Sequence, residues 1–269
     1  MVSARGGRLT RGLLFVVLLA AGAGCATEPP RLPSRQQVLQ RILPATVQIS
    51  LEQEGRRFRS GSGVVIATRT SDAGAECFVL TSGHTLAGLA DPQQIFVLLD
   101  RHHAKATKVP ARMLARRDTQ DLDLALLQAD APQCVAADLG RAPDLGDTIW
   151  VVAFPWGREM TLVGGVVSQT NVETSDGEPG PRLMVDASVS YGASGGGVFD
   201  AMTGRLVGLV EGYHTARVSF KNDATGRYID VPVPGETYVA PLADIRRFLT
   251  ETGHASLLGG PPAIAAPRR

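Results

Sequence analysis

From Gln36 onward the apolar positions of this chain follow two kinds of spacing. Near the two ends they recur three or four residues apart: Val38, Leu39, Ile42 and Leu43, closed by Pro44, and Leu242, Ile245, Phe248 and Leu249 after Pro241. That period lines them up along one side of a helix, so a short helix is predicted at each end. Between the helices the apolar residues come in short β-branched or alternating runs, set off by polar or Gly/Pro turns. The runs predicted as strands are 46–51, 63–67, 77–81, 95–99, 122–127, 148–153, 162–168, 182–186, 197–199, 205–210 and 237–240. Many short strands at regular spacing mean a sandwich or barrels. The stretch 131–147, with two Pro, two Gly and few apolar runs, is the natural joint between two halves.

Composition agrees with an all-β class and removes several roles. Of 269 residues, 30 are Gly and 17 Pro, without the three-residue period of collagen, which indicates many turns. A 44% hydrophobic content is too high for a disordered chain. The formal net charge of +1 supplies no field that would draw nucleic acid, so no nucleic-acid partner is expected. The three cysteines are not at zinc-ligand spacing, and no His/Asp/Glu cluster has metal-ligand spacing, so neither a metal nor another cofactor is expected.

The first 24 residues read as an export signal. Arg5, Arg8 and Arg11 precede an apolar run from Leu13 to Ala21, followed by Gly22-Ala23-Gly24-Cys25. The run is shorter than the roughly 20 residues a membrane-spanning helix requires. Cys25 after small residues resembles the lipobox of bacterial lipoproteins, although Gly22 stands where an aliphatic residue is usual. Lipidation of Cys25 is the favoured reading, with an ordinary signal-peptidase cut as the alternative. Residues 25–35, with three prolines, then read as a tether, and the domain is expected in the bacterial envelope, held to the membrane only by the lipid. Cys77 and Cys134 remain as an even pair in a compartment that permits disulfides; pairing and two buried free thiols both stay open.

One set of residues can act together chemically. Gly192-Ala193-Ser194-Gly195-Gly196-Gly197 surrounds a serine with minimal side chains, so the backbone can turn sharply and bring successive N–H groups toward one point. A serine hydroxyl needs a base. Of five histidines, His84 is the best placed, in Thr81-Ser82-Gly83-His84-Thr85 at the end of an apolar strand, whereas His102, His103, His214 and His254 fit less well. A carboxylate must orient that base. Asp121 and Asp123 lie at the mouth of a buried strand, and Asp123, which leads straight into four apolar residues, is the stronger candidate.

The order His84, Asp123, Ser194, in Thr-x-x-His, Asp-Leu-Ala-Leu-Leu and Gly-x-Ser-Gly-Gly, resembles the trypsin-like serine proteases and most closely their HtrA-type bacterial branch. Leu43-Pro-Ala-Thr-Val-Gln-Ile49, Gly61-Ser-Gly-Val-Val-Ile66, Phe154-Pro-Trp-Gly157, Gly165-Val-Val-Ser168 and Tyr238-Val-Ala-Pro241 follow in that branch's order. The resemblance implies two six-stranded antiparallel β-barrels, about 45–130 and 147–240, within a protease domain over 36–250; the Gly/Pro/Ala composition of the chain end predicts a disordered tail over 251–269. The resemblance also implies polypeptide substrates, with His84 as base, Asp123 as its orienter, Ser194 as nucleophile and the Gly192 and Ser194 N–H groups as oxyanion hole. Ser188, Val189, Leu209, Val210, Glu211 and Tyr213 would bind substrate, Tyr213 narrowing the pocket mouth. With Ser188 at the pocket base, cleavage after an uncharged small or medium apolar residue is expected.

Three departures from the branch stand out. Ala193 replaces a residue that is Asp or Asn in relatives, so activation through a salt bridge there is not expected. Gly197 replaces a proline, which predicts a less preorganised loop. The residues after the terminal helix are too few for a PDZ domain. A homo-oligomer is left open, and a catalytically silent peptide-binding module is the alternative to the enzyme.

Overall fold

In the computed structural model the described residues are 32–71, 74–103, 106–119, 122–172, 182–219 and 227–259. The export signal, Cys25, most of the tether and Asp121 lie outside them, as does the chain beyond Gly259.

Among the described residues twelve strands form two closed antiparallel barrels. Barrel one comprises β1 (Thr46–Gln53), β2 (Arg56–Ser71), β3 (Gly74–Thr81), β4 (Gln94–Leu99), β5 (Thr107–Thr119) and β6 (Leu122–Ala131), in the order β1-β2-β3-β6-β5-β4. Barrel two comprises β7 (Thr148–Ala153), β8 (Thr161–Val172), β9 (Arg182–Val185), β10 (Gly197–Asp200), β11 (Leu206–Ser219) and β12 (Tyr228–Pro241), in the order β10-β11-β12-β9-β8-β7. β5 is absent from the eleven predicted runs. It carries Lys108, Arg112, Arg116 and Arg117 and contains Pro110, and in its outer part only Val109 is buried. Its ladders to β4 and β6, which close the barrel, hold it in place of an apolar pattern of its own.

The unalternated apolar runs are explained by burial on both faces of a strand. Val65 and Leu127 point into barrel one, packing with Val47, Ile49 and Leu51. Their neighbours Val64, Ile66, Leu124 and Leu126 point outward instead, against Val152, Phe199, Leu206 and Leu209 of barrel two. The interface between barrels is thus a hydrophobic core in itself, and it fixes how the two halves meet. Both helices cap this core.

Helix α1 (Arg35–Ala45) starts at a capping box, in which Ser34 and Gln37 each satisfy the other's backbone N–H. It runs one residue past Pro44, the predicted stop, because the lost N–H frees only the carbonyl of Gln40 in an exposed turn. Helix α2 (Leu242–Glu251) buries Leu242, Ile245, Phe248 and Leu249. The disordered tail expected from 251 is a correction: Ala255–Leu258 form a 3₁₀ turn, and Leu257 is buried against the same core. Cys77 and Cys134 form a disulfide that staples β3 to the inter-barrel connection.

Candidate active site

His84 sits in a 3₁₀ turn, Gly83–Leu86, directly after β3. Two arginines clamp this turn: Arg116 Nε donates to the Gly83 carbonyl at 2.8 Å and Arg59 donates to the Ala87 carbonyl at 2.7 Å. Position 83 has no room for a side chain, because a Cβ would run into the Arg117 carbonyl of β5. β6 brings up Asp123, whose side chain is 10% exposed. Its Oδ1 accepts from the His84 backbone N–H at 2.7 Å, and its Oδ2 lies 2.5 Å from His84 Nδ1. A carboxylate can only accept, so the Nδ1 carries the proton and Nε2 is left as a base.

The hydrogen bond to Asp123 raises the His84 pKa above the ordinary imidazole value. Burial opposes this, while the charges of Asp123, Asp118 and Glu211 add to it. Asp118 is itself engaged by Arg116.

The serine loop is held by its carbonyls. The Trp156 N–H donates to the Tyr191 carbonyl at 2.6 Å, and the Gly196 N–H donates to the Ala193 carbonyl at 2.8 Å. In a trans peptide the N–H points opposite to the C=O of the same unit. The Gly192 and Ser194 amides are therefore directed away from those two anchors, and neither meets a backbone acceptor among the described residues. Gly192 has a φ of +87°, and a Cβ there would lie 2.8 Å from the Trp156 nitrogen, so only glycine fits. At Gly195, with a φ of +82°, a Cβ would come closer still to its neighbour, the Ser62 carbonyl oxygen. Gly197 starts β10 and pairs with both Val152 and Leu209, so the two ladders restrain the backbone although no proline ring fixes it. Ala193 is buried and brings no carboxylate.

Ser62 and Val210 connect this loop to His84. The Ser62 N–H donates to the Ser194 carbonyl at 2.9 Å, its Oγ donates to the Gly192 carbonyl at 2.8 Å, and its own carbonyl accepts from Thr81 Oγ1 at 2.7 Å. The Val210 carbonyl accepts from Gly195 N–H at 2.7 Å and from Ser82 Oγ at 3.0 Å. Thr81 and Ser82 lead directly into the His84 turn. His84 and Asp123 thus touch, whereas Ser194 joins them through these shared partners, with no hydrogen bond to His84 among the described residues. Such contacts commonly close only once substrate is bound.

Sequence reasoning overlooked Ser62, though it lies inside the quoted Gly61-Ser-Gly run. The available signal was a serine between two glycines at the head of the apolar run Val64-Val65-Ile66, and the structure buries it fully. Nor did it anticipate the aromatic row at this face. Trp156 and Tyr191, both 60% exposed, pack at 5.2 Å, and Tyr213 meets Tyr191 edge-on at 5.8 Å. Burial and the Tyr191 hydroxyl push the Tyr213 phenol up to about 12.

The expected substrate-binding residues divide. Ser188 and Val189 line a cavity of about 320 Å³ with Ser190, Ala193 and residues of β7 and β8, and among the described residues no charged group lines it. Leu209 and Val210 must be corrected. Both are buried, and Leu209 is paired on both sides, with Gly197 and Ala240. Val210 spends its N–H on the Gly196 carbonyl and its carbonyl on Gly195 and Ser82, so it has nothing left for a substrate backbone. Glu211, at a bulge in the β11–β12 ladder, and Tyr213 lie beyond the part of β11 covered by β10.

Comparison with known proteins gives a consistent picture. The family model described as a trypsin-like peptidase domain matches residues 61–209, more than half of the chain. A "Probable periplasmic serine endoprotease DegP-like" of Hahella chejuensis is 29% identical over 175 residues, which are 64% of this chain and 34% of that protein. Its counterpart in Pseudomonas fluorescens is 30% identical over 174 residues, 64% of this chain and 33% of its own length. The chain therefore spans about a third of the length of these curated relatives. Among solved structures, the serine endoprotease from Yersinia pestis has a TM-score of 0.58 at 24% identity, covering 84% of this chain and 68% of that one. The HtrA-type protease AlgW with tripeptide has a TM-score of 0.60 at 24% identity, covering 82% and 65%. At such identities these two structures bear on the fold alone.

Proposed function

We propose that this chain, which belongs to the trypsin-like peptidase family, is a serine endopeptidase acting on polypeptides of the bacterial envelope. The observation that carries the reading is the His84–Asp123 pair, two hydrogen bonds deep, linked to the Ser194 loop through Ser62 and Val210. Ser194 Oγ attacks the scissile carbonyl while His84 Nε2 takes its proton. The tetrahedral oxyanion is held by the Gly192 and Ser194 N–H groups. His84 then gives the proton to the leaving amine, the C–N bond breaks and an acyl-enzyme remains. Water repeats the sequence: its proton goes to His84, its oxygen displaces Ser194, and the proton returns to the serine. Asp123 holds the ring in the tautomer this requires and stabilises the imidazolium.

The uncharged Ser188–Tyr191 stretch favours cleavage after an uncharged side chain. Residence in the envelope is supported by the export signal and by the periplasmic description of the relatives from Hahella and Pseudomonas. Lipidation at Cys25 is tested by the intact mass of the mature protein, which must begin at a diacylated Cys25.

Fluorophosphonate labelling tests the chemistry. The active chain is modified at Ser194, and Ser194→Ala abolishes the label. No labelling from about pH 6 to about pH 9, with or without unfolded polypeptide, would replace this reading by a silent peptide-binding module.

A further inference from the structure

Residues 154–157 follow β7 in barrel two, yet β1 and β2 of barrel one hold them at both ends. At the near end the Phe154 N–H donates to Ser62 Oγ at 2.8 Å. At the far end the Gly157 carbonyl accepts from Gln48 Nε2 and from Arg57 Nη1, each at 2.8 Å. Those two donors occupy both lone pairs of the oxygen. Gln48 and Ser62 stand directly opposite each other in the β1–β2 ladder, so their side chains share one face and work as a cross-strand pair. Arg57 stands opposite Glu52, whose buried carboxylate attracts the guanidinium and keeps an exposed side chain against the turn. The approach is close: a Cβ on Gly157 would lie 2.5 Å from Ser60 Oγ.

The grip restrains the backbone between its ends. Trp156 has a φ of +58° and a ψ of +16°, a left-handed conformation that is unfavourable for a bulky side chain and persists only where the surroundings impose it. Its ring is exposed, so burial of the side chain does not supply that restraint. In this conformation the Trp156 N–H donates to the Tyr191 carbonyl at 2.6 Å. The Tyr191 carbonyl and the Gly192 N–H belong to one peptide plane, so fixing the oxygen fixes the direction of the amide.

We infer that Gln48 and Arg57 are positioning residues for the reaction: by gripping the Gly157 carbonyl from the other barrel, they hold Trp156 left-handed and keep the Gly192 N–H aimed at the oxyanion. The inference rests on the proteolytic reading above and adds a part outside the triad and its loop. Ser62 bonds both this turn and the Ser194 loop, whereas Gln48 and Arg57 make no hydrogen bond to that loop among the described residues. Their effect on rate passes through Gly157, Trp156 and Tyr191. The packing of one barrel on the other thereby shapes the oxyanion hole as well as the core between them.

The test measures kcat and KM on a short peptide, together with the Ki of a peptidyl trifluoromethyl ketone of the same sequence, whose hemiketal oxygen takes the oxyanion position. A misplacement of about 1 Å in such a site costs about a hundredfold in rate. Arg57→Ala, at an exposed side chain, therefore lowers kcat by about tenfold, and Q48M/R57A, in which methionine keeps the bulk of Gln48 without its donor, by about a hundredfold. KM stays within about twofold in both, and Ki rises in step with the fall in kcat/KM. R57K, which keeps a donor toward Gly157, recovers most of the loss. An unchanged kcat in folded Q48M/R57A overturns the inference. So does a loss carried by KM with the ketone affinity retained, or an R57K chain as slow as R57A. If Q48M/R57A does not fold, R57A and R57K decide by the same criteria. A wild-type chain that neither cuts peptide nor takes the fluorophosphonate label fails the protease reading separately. The grip is then read from Trp156, made the sole tryptophan by Trp150→Phe. A fast component entering its fluorescence anisotropy decay with R57A supports the grip, and a decay that R57A leaves unchanged refutes it.

Discussion

Replacing Asp123 by asparagine leaves the shape of the site intact and reverses the polarity of one of two contacts. In the native site Oδ1 accepts from the His84 backbone N–H at 2.7 Å while Oδ2 faces Nδ1 at 2.5 Å. An amide has one acceptor, so one contact must be lost. If the amide nitrogen faces the ring, Nδ1 must become the acceptor. The ring proton then moves to Nε2, where the Ser194 proton has to go. If it faces the backbone instead, two donors meet and the 3₁₀ turn is pushed off its clamp. Either way the base is blocked. The order expected for this chemistry is a loss of about 10⁴ in kcat, or about 5 kcal/mol of barrier. The assay is kcat/KM on a short peptide over about pH 6 to about pH 9, with fluorophosphonate labelling rates alongside. Loss of the carboxylate also removes the main cause of the raised His84 pKa, so any residual activity has its acid limb displaced to lower pH. A folded D123N chain keeping a tenth of the wild-type rate would refute the assignment. Asp118→Asn is the control: its carboxylate contributes less to the His84 shift, and its loss moves the acid limb only slightly.

Further outcomes follow from other contacts. In the wild type the acid limb of kcat/KM lies above the ordinary imidazole value of about 6.5, since His84 must be neutral to act and its pKa is raised. By the same linkage, the His84–Asp123 pair contributes stability that is fully present below about pH 6.5 and declines as the pH rises through the folded pKa; the difference in melting temperature between wild type and D123N must narrow in that direction. Ser62→Ala removes the Oγ that bridges the Gly192 carbonyl and the Phe154 N–H. It should lower kcat by about tenfold to about a hundredfold with little change in KM, at about 1–3 kcal/mol for a buried group left unsatisfied. Gly195→Ala drives a Cβ against the Ser62 carbonyl at positive φ, and fluorophosphonate labelling should be lost while far-UV circular dichroism keeps its β-sheet form. Reducing the Cys77–Cys134 bridge releases a loop of 57 residues, worth about 4 kcal/mol by loop entropy, which denaturant titration with and without reductant would measure.

Much of this molecule is fixed by local pattern. The period-two runs and the helical spacings of Val38 to Leu43 and of Leu242 to Leu249 depend only on which faces must be buried, and they became strands and helices as expected. The glycines around Ser194 were legible because few other backbones can turn that way. β5 was not legible, since its arginines and Pro110 conceal a strand whose place is set by β4 and β6. Ser188 and Val189 were grouped with Leu209 and Val210 by order along the chain, but the fold sends the first pair to a cavity and buries the second.

The chain's own residues therefore determined an all-β protein and singled out His84, Asp123 and Ser194 as candidates for a base, a carboxylate and a hydroxyl, because propensity and chemistry reside in single side chains. Only the tertiary structure decided that Asp123 meets both the ring and the backbone of His84, that Ser62 ties the Ser194 loop to Thr81, and that β11 outruns β10 to leave an open edge. Each of those facts is a pairing between strands distant in sequence, and distance along a chain carries no record of which carbonyl will find which N–H when two barrels close and pack together.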